Sequence, residues 1–204
     1  HVQSPPQIPW VVPDNAAAMR TAVEYLAARG HRKIAHFAGA DIHSDAKQRR
    51  LGFQAAMRKA GLKCPPEYIM RGSWAGAPEK NPQAAAEILQ LGVSAVVCSN
   101  DGQALLLWKM AEEGGVSVPD ELSIIGMDNT VEAAQRGLST LATPFEEMGR
   151  AAVGALLGLL RGEDAHSLCR TLPVELVERQ SVQNLGKLVT AKFGLPSALT
   201  NDAN

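Results

Sequence analysis

The chain's 204 residues are enough for one or two domains with a real core, and its 46% apolar and 20% charged residues match an ordinary soluble globular protein. A net charge of −1, without a run of like charges, offers nucleic acid no basic arm. Three widely spaced cysteines without a CxxC pair (Cys64, Cys98 and Cys169) argue against a metal site or disulfide framework and fit reduced thiols in a cytoplasm.

His1 to Pro9 is polar and proline-rich, so no signal peptide is expected. Asp14 is placed to cap a helix whose apolar face carries Met19, Ala22, Val23 and Leu26, and Gly30 supplies the stop. A strand from Ile34 to Ala38 follows, then a helix starting near Ser44 with Arg49, Phe53, Ala56, Met57 and Ala60 on one face. Tyr68 to Met70 reads as a strand, and Asn81-Pro82 as the cap and first turn of a helix through Ala85, Ile88 and Leu89. Ser94 to Cys98 is the next strand, then a helix from about Gln103 to Glu113, then a strand from Leu122 to Ile125. The longest apolar run, Ala151 to Leu160, is too short to span a membrane and reads as a buried helix. The alternation predicts a parallel sheet with helices on both faces. From residue 183 to 204 periodicity fades and a tail is expected.

Ligands of parallel α/β sheets bind beyond the carboxyl ends of the strands. His43, Asp45 and Arg49 follow the first of these strands, Trp74 the second, Asn100 and Asp101 the third, and Asp128 with Asn129 the fourth. Carboxylates and an amide suit hydroxyl groups, arginine offers a rigid fork of donors, and tryptophan can cover a sugar ring. Plainer roles remain open: Arg49 pairing with Asp128 to hold the sheet, Asn100-Asp101 and Asp128-Asn129 as turns and caps, Trp74 as a surface or core aromatic, and His43 and Asp45 as solvated loop. Trp10 and Trp108 are assigned to packing. No GxSxG, Walker, HExxH or GxGxxG sequence is present, so no catalytic residues, metal or cofactor are expected.

Several phrases in order along the chain carry a resemblance: Asp14-Asn15, Gly30-His31-Arg32-Lys33-Ile34-Ala35, Arg49-x-x-Gly52-Phe53, Asn100-Asp101-x-x-Ala104, the run from Val118 to Asn129, Leu138-Ser139-Thr140-Leu141, Met148-Gly149 and Leu172-Pro173-x-x-Leu176-Val177-x-Arg179-x-Ser181. Together they resemble the LacI/GalR family of transcriptional regulators over residues 8–182. The resemblance implies a periplasmic-binding-protein-like (type I) core, with ligand held in a cleft between two α/β subdomains, and a homodimer. By position it implies ligand contact for Arg49, Asn100 and Asp128, an aromatic wall at Trp74, smaller polar contacts at His43 and Asp45, and a polar contact at Thr143.

The family's helix-turn-helix headpiece and hinge helix, and the first half of its N-terminal subdomain, find no match before Pro9. The expected chain is thus mostly the C-terminal subdomain, plus a return segment (145–162) belonging to the N-terminal one, whose apolar residues would lack part of their cover. The expected function is effector sensing, with a carbohydrate-derived ligand, operator DNA reached only through the absent headpiece, no membrane partner and no enzymatic activity. A solute-binding protein of a sugar transport system is the alternative, and a sugar-processing enzyme is disfavoured.

Overall fold

The computed structural model describes residues 8–72 and 81–186. Six strands form one sheet in the order β3 (Ile69–Arg71), β2 (Ile34–Ala38), β4 (Ala95–Cys98), β5 (Ser123–Met127), β6 (Ser139–Ala142) and β8 (Glu175–Val177). All neighbours run parallel except β8, which is antiparallel to β6. Apart from it, β1 (Val11–Pro13) and β7 (Arg170–Leu172) pair as a parallel two-stranded ribbon. Chain order places helices α1 (Asn15–Ala28), α2 (Ser44–Lys59), α3 (Pro82–Gln90), α4 (Asp101–Glu113), α5 (Val131–Arg136) and α6 (Phe145–Leu160) between the strands.

Side chains alternate across the pleat, so each central strand feeds two cores. Ala35, Phe37, Val96 and Ile124 meet Ile88, Leu107 and Trp108 on the α3–α4 face. Ile34, Val97, Ile125 and Met127 meet Met19, Val23, Leu26, Phe53 and Met57 on the α1–α2 face. Both faces are covered, which is why these strands read as continuous apolar runs. Helices α1 and α2 approach closely at Gly52, where a Cβ would lie 2.9 Å from the Ala16 Cα.

Capping explains most boundaries. Asp14 Oδ1 accepts the Ala17 N–H at 2.9 Å and starts α1. Asn100 Oδ1 accepts the Gln103 N–H at 2.8 Å, so α4 begins at Asp101, two residues before the position read from the sequence. β5 runs on to Met127 because Gly126 and Met127 find partners in Thr140 and Leu141. Tyr68 ends a short 3-10 turn, and the strand expected there starts one residue later.

Ala151 to Leu160 is helical as expected but not buried: on α6 only Ala155 and Gly158 are buried, while Leu160 is 76% exposed. The helix leans on β1, β7 and the 3-10 turn Ala165–Leu168, and among the described residues no second layer covers its other side. The residues after β8 are laced to the body. Gln180 N–H donates to the Gly137 carbonyl (2.9 Å), Ser181 Oγ accepts from the Ser139 N–H (2.9 Å), Gln183 N–H donates to Ser123 Oγ (2.9 Å), and Leu185 N–H to the Arg29 carbonyl (2.9 Å). The first four residues of the expected tail are therefore fixed; from 187 onward it lies outside the described residues. None of the described helices is long and apolar enough to cross a membrane.

Candidate functional site

β3 and β4 flank β2 on opposite sides, so the connections leaving β2 and β4 diverge and open a crevice at their carboxyl ends. Arg49 reaches that point from α2, although it is only 4% exposed. Its Nε donates to Asn15 Oδ1 at 2.7 Å, and its Nη1 donates to the Ser99 carbonyl just beyond β4. Asn15, the first residue of α1, directs its Nδ2 to Asp45 Oδ1 at 2.9 Å and, more weakly, to Gln48 Oε1 at 3.4 Å. Asp45 stands one helical turn before Arg49, so carboxylate and guanidinium share a face of α2 and are locked by one amide.

Asp128 arrives from the end of β5 with a backbone φ of 114°, followed by Asn129 at 59°, conformations uncommon for residues with a side chain. Thr143 Oγ1 donates to Asp128 Oδ1 at 3.1 Å. Burial pushes the Asp128 carboxyl up to about 6, the charges of Asp101 and Asp45 add to this, and Arg49 and the Thr143 hydroxyl oppose it. Burial lowers Arg49 from its ordinary value, while Asp128 and Asp45 favour its charged form.

Among the residues singled out from the sequence, Arg49, Asp45 and Asp128 thus come together as one electrostatic group, with Thr143 attached to Asp128. Asn100 is half-buried beside Ser99, its side chain capping α4. Asp101 turns inward: it is 1% exposed and accepts from Thr140 Oγ1 at 2.6 Å and from the Thr130 N–H at 2.8 Å. It fastens α4 to β6, and Gly126 makes room for it, since a Cβ there would lie 2.1 Å from Asp101 Oδ1. His43 sits exposed at the start of α2, on the rim. Trp74 lies outside the described residues.

Sequence reasoning passes over Asn15 and Ser99. Asn15 belongs to a recognised dipeptide, but its neighbour Asp14 accounts for the helix start and leaves no sign of the amide's long-range partners. His36, also passed over, is fully buried on β2; its Nδ1–H donates to the Val97 carbonyl at 2.7 Å and its ring stacks on Phe53 at 5.0 Å. Beside Asn15 an apolar cleft of about 410 Å³ opens between β1 and α2, with Trp10, Leu51 and Gln48 in its wall. Trp108 is a packing residue as expected, 6% exposed, with its Nε1–H on Glu112 at 3.0 Å. Among the described residues no cluster of histidine, cysteine and carboxylate side chains could hold a metal.

Residues 23–182 match the periplasmic binding protein-like domain family. The HTH-type transcriptional repressor CytR of Escherichia coli (strain K12) is 34% identical over 183 residues, covering 88% of this chain and 53% of the repressor. The HTH-type transcriptional repressor PurR of Vibrio cholerae serotype O1 (strain M66-2) is 30% identical over 171 residues, covering 81% of this chain and 50% of the repressor. The chain therefore spans about half the length of these relatives. Among solved structures, a LacI-family sugar-binding transcriptional regulator from Escherichia coli complexed with phosphate superposes with a TM-score of 0.76 at 30% identity, covering 85% of this chain and 63% of its own. A CelR–cellobiose complex superposes with a TM-score of 0.80 at 25% identity, covering 88% and 56%.

Proposed function

The chain belongs to the periplasmic binding protein-like domain family, in its LacI-type regulator branch, and on that premise we propose that it is the effector-sensing part of a DNA-binding transcriptional regulator. The effector is a small sugar-like molecule held at the carboxyl ends of β2, β4 and β5. The observation that supports this most is Arg49. A buried guanidinium at the sheet's switch point, fixed by Asn15 and Ser99 and flanked by Asp45 and Asp128, is costly for stability alone and suited to orienting hydroxyl groups. Asn100 and Thr143 complete the polar contacts in this reading, His43 borders the rim, Asp101 stiffens the floor and Trp74 supplies the aromatic wall. Operator DNA is contacted by a headpiece outside this chain, and the regulator acts as a homodimer.

Calorimetry of the full-length regulator that contains this chain, against a panel of mono- and disaccharides, cellobiose included, with the 6-phosphates of the hexoses, tests the reading. At least one member is expected to bind. Arg49→Lys keeps a charge but loses the fork, and is expected to weaken binding by about 1.5–3 kcal/mol. An Arg49→Lys protein that is folded and binds with unchanged affinity removes Arg49 from the site.

A further inference from the structure

Resting on the effector-site reading, we propose that this cleft accepts an uncharged or positively charged polyhydroxylated ligand and rejects ligands bearing a phosphate or carboxylate. Among the described residues the group at the crevice holds one guanidinium, Arg49, against the carboxylates of Asp45 and Asp128, with Asp101 behind them. Arg49 is already engaged: Nε points at Asn15 and Nη1 at the Ser99 carbonyl, so an incoming anion competes with bonds made inside the protein. The neighbouring basic side chains are committed elsewhere. Arg50 and Arg71 both close on Asp41, at 2.9 and 3.2 Å. Arg179, the cation that acts on Asp101, donates to the Leu138 carbonyl at 2.7 Å and to Asn129 Oδ1 at 2.6 Å. Lys47 and His43 on α2 are exposed, where solvent screens them.

The electrostatics point the same way. Burial together with the charges of Asp101 and Asp45 already pushes the Asp128 carboxyl up to about 6, so the site is strained to hold the negative charge it has. A further anion adds repulsion that one engaged arginine does not offset, whereas O–H and N–H donors find carboxylate acceptors ready for them. Asp45 carries much of this selectivity. Its carboxylate is held toward Arg49 by Asn15, and among the described residues it makes no bond that fastens a helix to the sheet as Asp101 does.

The test follows the side-chain Nε–H signal of Arg49 by NMR while inorganic phosphate is titrated at constant ionic strength and pH 7.5. In the wild-type chain the signal should stay still. In Asp45→Asn/Asp128→Asn it should move, with phosphate bound at least about tenfold more tightly, the scale on which like charges are felt at buried sites. Asp45→Asn alone, a change at a half-buried position, gives a smaller shift in the same direction and serves if the double variant does not fold. Movement of the wild-type signal by phosphate overturns the proposal, and so do folded variants that respond no more than wild type. In the sugar panel, a hexose 6-phosphate bound more tightly than its parent hexose overturns the charge selectivity and leaves the effector site standing. Failure of every sugar to bind counts instead against the effector site itself.

Discussion

Burial moves His36 and Asp128 in opposite senses, because each is penalised in its charged form. His36 is held down to about 4, so the folded protein resists a proton that the unfolded chain accepts from about pH 6.5. Its contribution to stability is present above pH 6.5 and is lost as the pH falls toward 4. At about 1.4 kcal/mol per pH unit this amounts to roughly 3 kcal/mol. Asp128, raised to about 6, stays protonated in the fold where the unfolded chain ionises; stability from it falls as the pH rises from about 4 to 6. The two nearly offset each other between pH 4 and 6.5. Asp128→Asn, which also tolerates a positive φ, should therefore uncover the His36 loss. Urea unfolding at pH 7 and pH 4.5 should show a larger drop for the variant than for wild type; equal drops would mean that Asp128 is not the raised carboxyl described, and a variant that shows no drop would mean that His36 is not the buried base. Arg49 and Asp128 are legible in the sequence because a charge interrupting an apolar helix face, or closing an apolar strand, stands out against its surroundings. Asn15 is not legible: its partners Asp45 and Arg49 are 30 and 34 residues away, and only the fold brings them together.

At the scale of elements, long amphipathic segments announce themselves and short ones do not. α1 and α2 show their buried faces by spacing, and β2, β4 and β5 by apolar runs. β1, β7 and β8 are three residues each, too short for alternation to show, and exist because a neighbour offers a ladder. α6 misleads for another reason. Its composition reads as core, but composition does not say what lies opposite. Glycines within helices separate close packing from open surface. Gly52→Ala pushes a methyl group against the Ala16 backbone and should destabilise by about 1–3 kcal/mol. Gly154→Ala on α6 meets nothing within 4 Å and should stabilise by about 0.5–1 kcal/mol. Urea midpoints of the two variants should move to opposite sides of wild type; a stabilising Gly52→Ala would contradict the packing of α1 on α2, and a destabilising Gly154→Ala the open surface of α6.

Over the whole molecule, the six-stranded sheet and its two cores account for the fold, while α6 and the β1–β7 ribbon stand to one side. Phe145, Val153, Leu156, Leu157 and Leu160 leave α6 with an exposed apolar face, and a contiguous face of this kind favours association at high concentration. Leu156→Lys/Leu160→Lys should reduce concentration-dependent sedimentation and, because both positions are exposed, change the unfolding free energy by less than about 1 kcal/mol. A large loss of stability would mean that this face is covered. Further along the chain, the last described strand ends at Val177, but the lacing continues beyond it: Ser181 and Gln183 serve the amides and hydroxyls of β5 and β6, and Gln183 offers its carbonyl to the His31 ring at 3.1 Å. A protease nick between residues 178 and 185 would therefore act like a cut drawstring rather than a trimmed end, loosening the centre of the sheet from its edge. Any excised fragment meant to fold has to keep its carboxyl end at or past Leu185.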